Sequence, residues 1–193
     1  MNSSLSLLYP LDEFYTEAGL ALPLVQRVEG LDVPEPCRQL LVHDRDMTPT
    51  LEAFHGERIH LRVLARRLDG DAYARQVVLT LNDSARAVEF GAIVIHLQHF
   101  PPAAREQVLE GRRPLGTILH DHRIAHQSRP LSFFRVTSDT LMNQALRLLE
   151  PQVLYGRRNV IWDAGENQLA NIVEILPPPQ EVAKDGHRAS RQS

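Results

Sequence analysis

At Ile59 the spacing of apolar residues changes from a helical period to a period of two. Ile59, Leu61, Val63 and Ala65 alternate with Arg58, His60 and Arg62, the pattern of a strand with one face covered and the other wet. Leu68-Asp69-Gly70-Asp71 then supplies a hairpin-type turn. Tyr73 to Leu81 reads as a second strand, Asn82-Asp83-Ser84 as another turn, and Val88 to Leu97 as a third strand. The third is apolar on both faces and is therefore expected to be central. A meander of this kind needs a cover on at least one face, so the rest of the chain is read for helices that could lie on it.

Helical spacing precedes the meander. Leu40, Leu41, Met47, Leu51 and Phe54 predict two short helices with a turn near Asp44 to Asp46. Thr48-Pro49 reads as a cap with a first-turn proline, and Gly56 as the stop. After the meander, Pro101-Pro102 opens a helix that ends at Gly111, and Pro114 to His120 reads as one more helical turn. Ser132 to Thr137 predicts a fourth strand, and Thr140 to Leu149 a helix. Arg158 to Trp162 and Gln168 to Leu176 predict a last hairpin about Asp163-Ala164-Gly165. The expected fold is α+β: one antiparallel sheet of about six strands with helices inserted between hairpins. Residues 1–35 are expected to be a partly helical extension, with a helix around Leu11 to Val28 that is interrupted near Gly19 and Pro23. Residues 36–178 form the domain, and residues 179–193 a polar, disordered tail.

The chain of 193 residues is one domain's worth. A net charge of −3 gives no bulk attraction for nucleic acid or anionic membrane. No apolar run approaches membrane-spanning length, and Asp12 and Glu13 follow directly on the apolar start, so a cytoplasmic monomer is the expectation. Cys37 is the single cysteine and reads as a core thiol. Lys184 is the single lysine; the remaining cations are arginines, which fork carboxylates and stay charged when buried.

Two charged residues stand where strands are apolar. Arg75 shares parity with Val77, Leu79 and Leu81 and should face inward, where a cation needs an anionic partner. Glu174 lies between Val173 and Ile175 in the last strand. Either the two pair with each other, or they line one cavity, Arg75 taking a carboxylate and Glu174 a hydroxyl. Pro114-Leu115-Gly116 sits at a turn into a helix, where backbone amides can meet an anion. Tyr155-Gly156-Arg157-Arg158 reads as a basic, solvated turn. His120 and His122, with His126 nearby, read as a solvated loop and not as a metal site. No Gly-rich phosphate loop, nucleophile elbow or CxxC motif occurs.

Taken in order, these residues resemble the chorismate pyruvate-lyase family. The likeness runs through Leu40-Leu41, Met47-Thr48 with Leu51-Glu52, Arg75-Gln76-Val77-Val78-Leu79, and Gly91 with Ile93 to Ile95. It continues through Pro114-Leu115-Gly116 with Leu119, Tyr155-Gly156-Arg157-Arg158, and Asn171 to Pro177. It covers about Pro36 to Pro178. The resemblance implies a chorismate lyase-like fold, with a six-stranded sheet and the ligand enclosed beneath two helix-turn-helix flaps. It implies a cofactor-independent lyase that splits chorismate into 4-hydroxybenzoate and pyruvate, most often for quinone (ubiquinone) biosynthesis. Arg75 would bind the ring carboxylate and Glu174 the 4-hydroxyl. The backbone at Leu115 and Gly116 would contact the acid, and Met47 would line the pocket from a flap. Ala92 stands where some members carry an arginine, and His96 where a proline is common.

Two other readings share this fold. One is a small aromatic acid-binding protein without catalysis, or a lyase for a related chorismate-derived acid. The other is the effector-binding domain of one class of bacterial transcription regulators, which carry an N-terminal winged helix. About thirty-five residues precede the matched region and contain no basic recognition helix, so DNA binding is not expected.

Overall fold

A computed structural model describes residues 6–179. The elements in chain order are α1 (Leu11–Glu17), β1 (Val25–Val28), α2 (Cys37–Leu41), α3 (Met47–His55), β2 (Ile59–Asp69), β3 (Ala72–Leu81) and β4 (Ala87–His96). They continue as α4 (Pro102–Glu110), α5 (Leu115–Asp121), β5 (His126–Thr137), α6 (Thr140–Leu146), β6 (Val153–Asp163) and β7 (Gln168–Leu176). The strands make one antiparallel sheet in the order β1-β5-β6-β7-β4-β3-β2. The β2–β3–β4 meander stands as read, and β4 lies inside the sheet between β3 and β7. The fold is α+β of the chorismate lyase-like type. No helix among the described residues is long and apolar enough to cross a membrane.

Four expectations change. The sheet has seven strands, because the N-terminal helix stops at Glu17 and the chain from Val25 to Val28 joins the edge of β5. Gly19, at φ +65°, and Pro23, where the sequence already marks an interruption, end the helical run. The first flap's second helix begins at Met47 behind Asp46, and not at a Thr48 cap. The strand expected from Ser132 begins at His126; its first half is polar and crosses a register shift between Pro130 and Ser132, which hid the alternation. The Tyr155–Arg158 turn is part of β6. The expected disordered tail lies, apart from Pro179, outside the described residues.

Helices cover both faces. On one face Leu11, Phe14 and Tyr15 of α1 and Met142 and Ala145 of α6 pack with Val78, Phe90, Val173 and Ile175. The other face carries two helical hairpins, α2/α3 and α4/α5. Leu41, Met47 and Leu51 cover Val77 and Leu79, while Ala104, Val108, Ile118 and Leu119 cover Ile93, Ile95 and Ala170. Gly56 and Gly111 end α3 and α4 in the left-handed conformation, both at φ +69°. Cys37 is buried at the start of α2, where burial raises its thiol pKa. Gly91 has a different reason: a Cβ there would lie 2.1 Å from the Val173 carbonyl oxygen. Only glycine lets β4 and β7 close at the row that carries Glu174.

Candidate functional site

Strand register places the inward charges in three successive rows on the face beneath the hairpins. Arg75 on β3 lies opposite Ile93 on β4, which lies opposite Ile172 on β7. Two residues along, Val77, Gly91, Glu174 and, on β6, Arg157 form the next row. Glu89 lies opposite Leu79 in the third. Strand spacings of this sheet put the Arg75 and Glu174 backbones about 12 Å apart.

Between this face and the hairpins lies a cavity bordered by Arg75, Glu89, Glu174, Met47, Leu115 and Gly116, with apolar walls from Leu61, Val77, Ile93 and Ile172. The cavity measures about 70 Å³, several times the room that one water needs. Arg75, Glu174, Met47, Leu115 and Gly116, all singled out in the sequence, thus meet at one cavity.

Arg75 and Glu174 do not pair. The Arg75 side chain is 1% exposed, and its Nη2 donates to the Arg113 carbonyl at 3.1 Å. Its Nε and Nη1 have no hydrogen-bond partner, and no carboxylate salt-bridges it among the described residues. Burial drives its pKa down to about 10. This is an arginine without the anion that a buried cation requires. Arg113 adjoins Pro114-Leu115-Gly116, so the α5 entry sits at the guanidinium end.

Glu174 instead receives the Nε of Arg157, a fully buried side chain directly opposite on β6. Arg157 also donates from Nη1 to the carbonyls of Leu41 (3.1 Å) and His43 (2.9 Å), and from Nη2 to that of Arg45 (3.3 Å). It thereby fixes both the carboxylate and the α2–α3 connection. Gly156 makes room for this strand: a Cβ there would meet the Phe134 ring and the Glu174 carbonyl at 2.6 Å. The solvated-turn reading of Tyr155 to Arg158 is thus corrected: Arg157 is an interior counter-ion.

Three further residues escaped the sequence reading. Glu89, 5% exposed, borders the cavity with Oε2 unpartnered. Burial and the adjacent Glu174 raise its pKa far above the usual carboxyl range. Asn159, opposite Ile172, donates to the Ser128 hydroxyl at 2.8 Å and leaves its other amide atom unpartnered. Asp46, at the entry to α3, takes His126 Nε2 at 2.9 Å, which raises the His126 pKa. His126 is therefore a strand residue holding a flap, not a loop residue. Ala92 packs its side chain into the apolar cluster of the opposite face.

No protein-family model matches the sequence, and no curated protein matches it. Solved structures do match in fold. The effector domain of PhnF from Mycobacterium smegmatis superposes with a TM-score of 0.53 at 12% identity, covering 69% of this chain and 88% of that one. PhnF itself gives 0.53 and 12% over 90% of this chain and 95% of that one. The possible transcriptional regulator YydK from Bacillus subtilis gives 0.50 and 8% over 89% and 92%. At such identities the likeness is one of fold.

Proposed function

We propose that this protein is a small-molecule-binding protein whose cavity takes a monoanionic, hydroxylated ring acid of the 4-hydroxybenzoate type. The observation that carries this reading is Arg75. It is the one cation bordering the cavity among the described residues, it is buried, and two of its N–H donors are unpartnered. A ligand carboxylate completes it by a fork. At the other end Glu174, held by Arg157, accepts from the ligand hydroxyl. The backbone at Leu115 and Gly116 borders the carboxylate end, and Met47 closes over the ring. The fold likeness to an effector domain agrees with binding without catalysis.

The lyase reading is the second. It is favoured by the meeting of Arg75, Glu174, Met47 and Leu115, the residues the family resemblance assigns to it, at one cavity. Against it stands charge. Chorismate is a dianion, and the cavity offers one cation among the described residues. An unpaired second carboxylate would be costly to desolvate.

One titration and one assay separate the two. Calorimetry with 4-hydroxybenzoate should give binding that Arg75→Met abolishes, and incubation with chorismate should release no pyruvate. Pyruvate release that Arg75→Met stops would establish the lyase. Absence of both binding and turnover would remove the ring-acid reading.

A further inference from the structure

Glu89 is a buried acid that the binding scheme above leaves unused. It lies at a register shift between β3 and β4, where Leu79 faces Glu89 but Thr80 faces Ala87. Such bulges re-aim side chains. Here Val88 joins the apolar cluster under the first hairpin while Glu89 borders the cavity on that same face. Its backbone is the diagonal neighbour of Glu174 across the β4–β7 pair, at about 7–8 Å.

The charged groups near Glu89 are Glu174 on β7, Arg75 on β3 and Asp46 at the entry to α3, which border the cavity, and Arg157 on β6, which stands behind Glu174. Of the two cations, Arg157 is taken by Glu174 and three carbonyls, and Arg75 lies two rows away with its bond to Arg113. Glu89 forms no ion pair among the described residues. A carboxylate buried beside another carboxylate, without a cation of its own, retains its proton, and the direction of its titration agrees. The result is a carboxylic acid that can donate a hydrogen bond from inside an apolar wall.

We propose that Glu89 is a specificity residue of the cavity: as an un-ionised acid it donates to the same ligand oxygen that donates to Glu174. This rests on the ring-acid reading and sharpens it. The group at the ligand's far end must give one hydrogen bond and accept another, which a phenolic or alcoholic hydroxyl does. An arylamine gives but accepts poorly, and an ether accepts but cannot give. The pocket therefore reads a hydroxyl as such and rejects its amino and methoxy analogues.

The experiment compares 4-hydroxybenzoate, 4-aminobenzoate and 4-methoxybenzoate by calorimetry on the wild type, Glu89→Gln and Glu89→Leu. The wild type should prefer the hydroxy acid to the amino acid by about tenfold, the worth of one hydrogen bond. Glu89→Gln, which keeps a neutral donor, should retain that ratio. Glu89→Leu should bring it to about one while both acids still bind. An unchanged ratio in Glu89→Leu overturns the proposal.

Infrared difference spectra of the ligand-free proteins give a second readout. A protonated-carboxyl stretch should be present in the wild type at neutral pH and missing in Glu89→Gln. Its absence from the wild type overturns the proposal whatever binds. If the stretch is present and none of the three acids binds, the ring-acid reading falls and takes the ligand contact with it.

Discussion

Replacing Arg75 by methionine should stabilise the ligand-free protein and abolish its response to ligand. A guanidinium whose pKa burial pushes down to about 10 is disfavoured in its charged form by about 3 kcal/mol. Methionine keeps an apolar stem of similar length beside the cavity wall and removes the charge. What is lost is the single bond from Nη2 to the Arg113 carbonyl, worth about 1.5–3 kcal/mol for a charged donor. The balance is a gain of about 0–1.5 kcal/mol, or up to about 6 °C in Tm for a chain of this size. A buried cation with its own protein partner would behave oppositely, since removing one member of such a pair costs about 3–5 kcal/mol.

The assay is thermal unfolding with and without 4-hydroxybenzoate. At a hundredfold excess over Kd the wild type gains about 3 kcal/mol, and the variant gains nothing, so the order of the two Tm values inverts when ligand is added. A ligand-free variant less stable than wild type by more than about 1 kcal/mol would refute the reasoning. So would an equal ligand-induced rise in both proteins.

Two other outcomes follow from the same geometry. Gly91→Ala places a Cβ 2.1 Å from the Val173 carbonyl oxygen and should cost at least about 3 kcal/mol in urea unfolding; a midpoint equal to wild type would mean the β4–β7 row can spread. The Asp46–His126 bond raises the folded-state imidazole pKa. Its contribution is therefore complete below the unfolded value of about 6.5 and is lost as pH rises through the higher folded value. In His126→Gln that pH dependence should vanish, with a difference from wild type below about 1 kcal/mol. Urea midpoints measured on either side of neutrality check this, and a slope unchanged in the variant would exclude the pair as its source.

What could be read from the sequence divides along a physical line. The meander was legible because Ile59 to Val63 and Tyr73 to Leu81 bury side chains at a period of two or continuously, and Gly56 and Gly111 mark helix ends by their need for positive φ. Arg75 and Glu174 were legible as charges out of place. Arg157 was not, because Tyr155-Gly156-Arg157-Arg158 has the composition of a turn. Only the Glu174 opposite it and the glycine that lets Phe134 approach make it interior. Glu89 was hidden by the strand's general apolarity, and its aim depends on a bulge that no local pattern announces. β1 joined the sheet through partners more than a hundred residues away, Val25 against Val136, a pairing invisible to any window.

Charge balance at the site follows from these placements and limits what can occupy it. Arg157 and Glu174 cancel each other across β6 and β7. Glu89, beside Glu174 and without an ion-pair partner among the described residues, has its pKa raised by burial and by that neighbour. Arg75 is left as one uncompensated positive charge facing the cavity. An empty site thus carries a desolvation cost that a single carboxylate offsets and a second carboxylate would restore with opposite sign. The same Arg157 that settles Glu174 also holds the carbonyls of Leu41, His43 and Arg45. In the proposed binding mode a ligand hydroxyl on Glu174 would draw on a guanidinium tied to the first helical hairpin, which would couple the cover over the cavity to the ligand's far end.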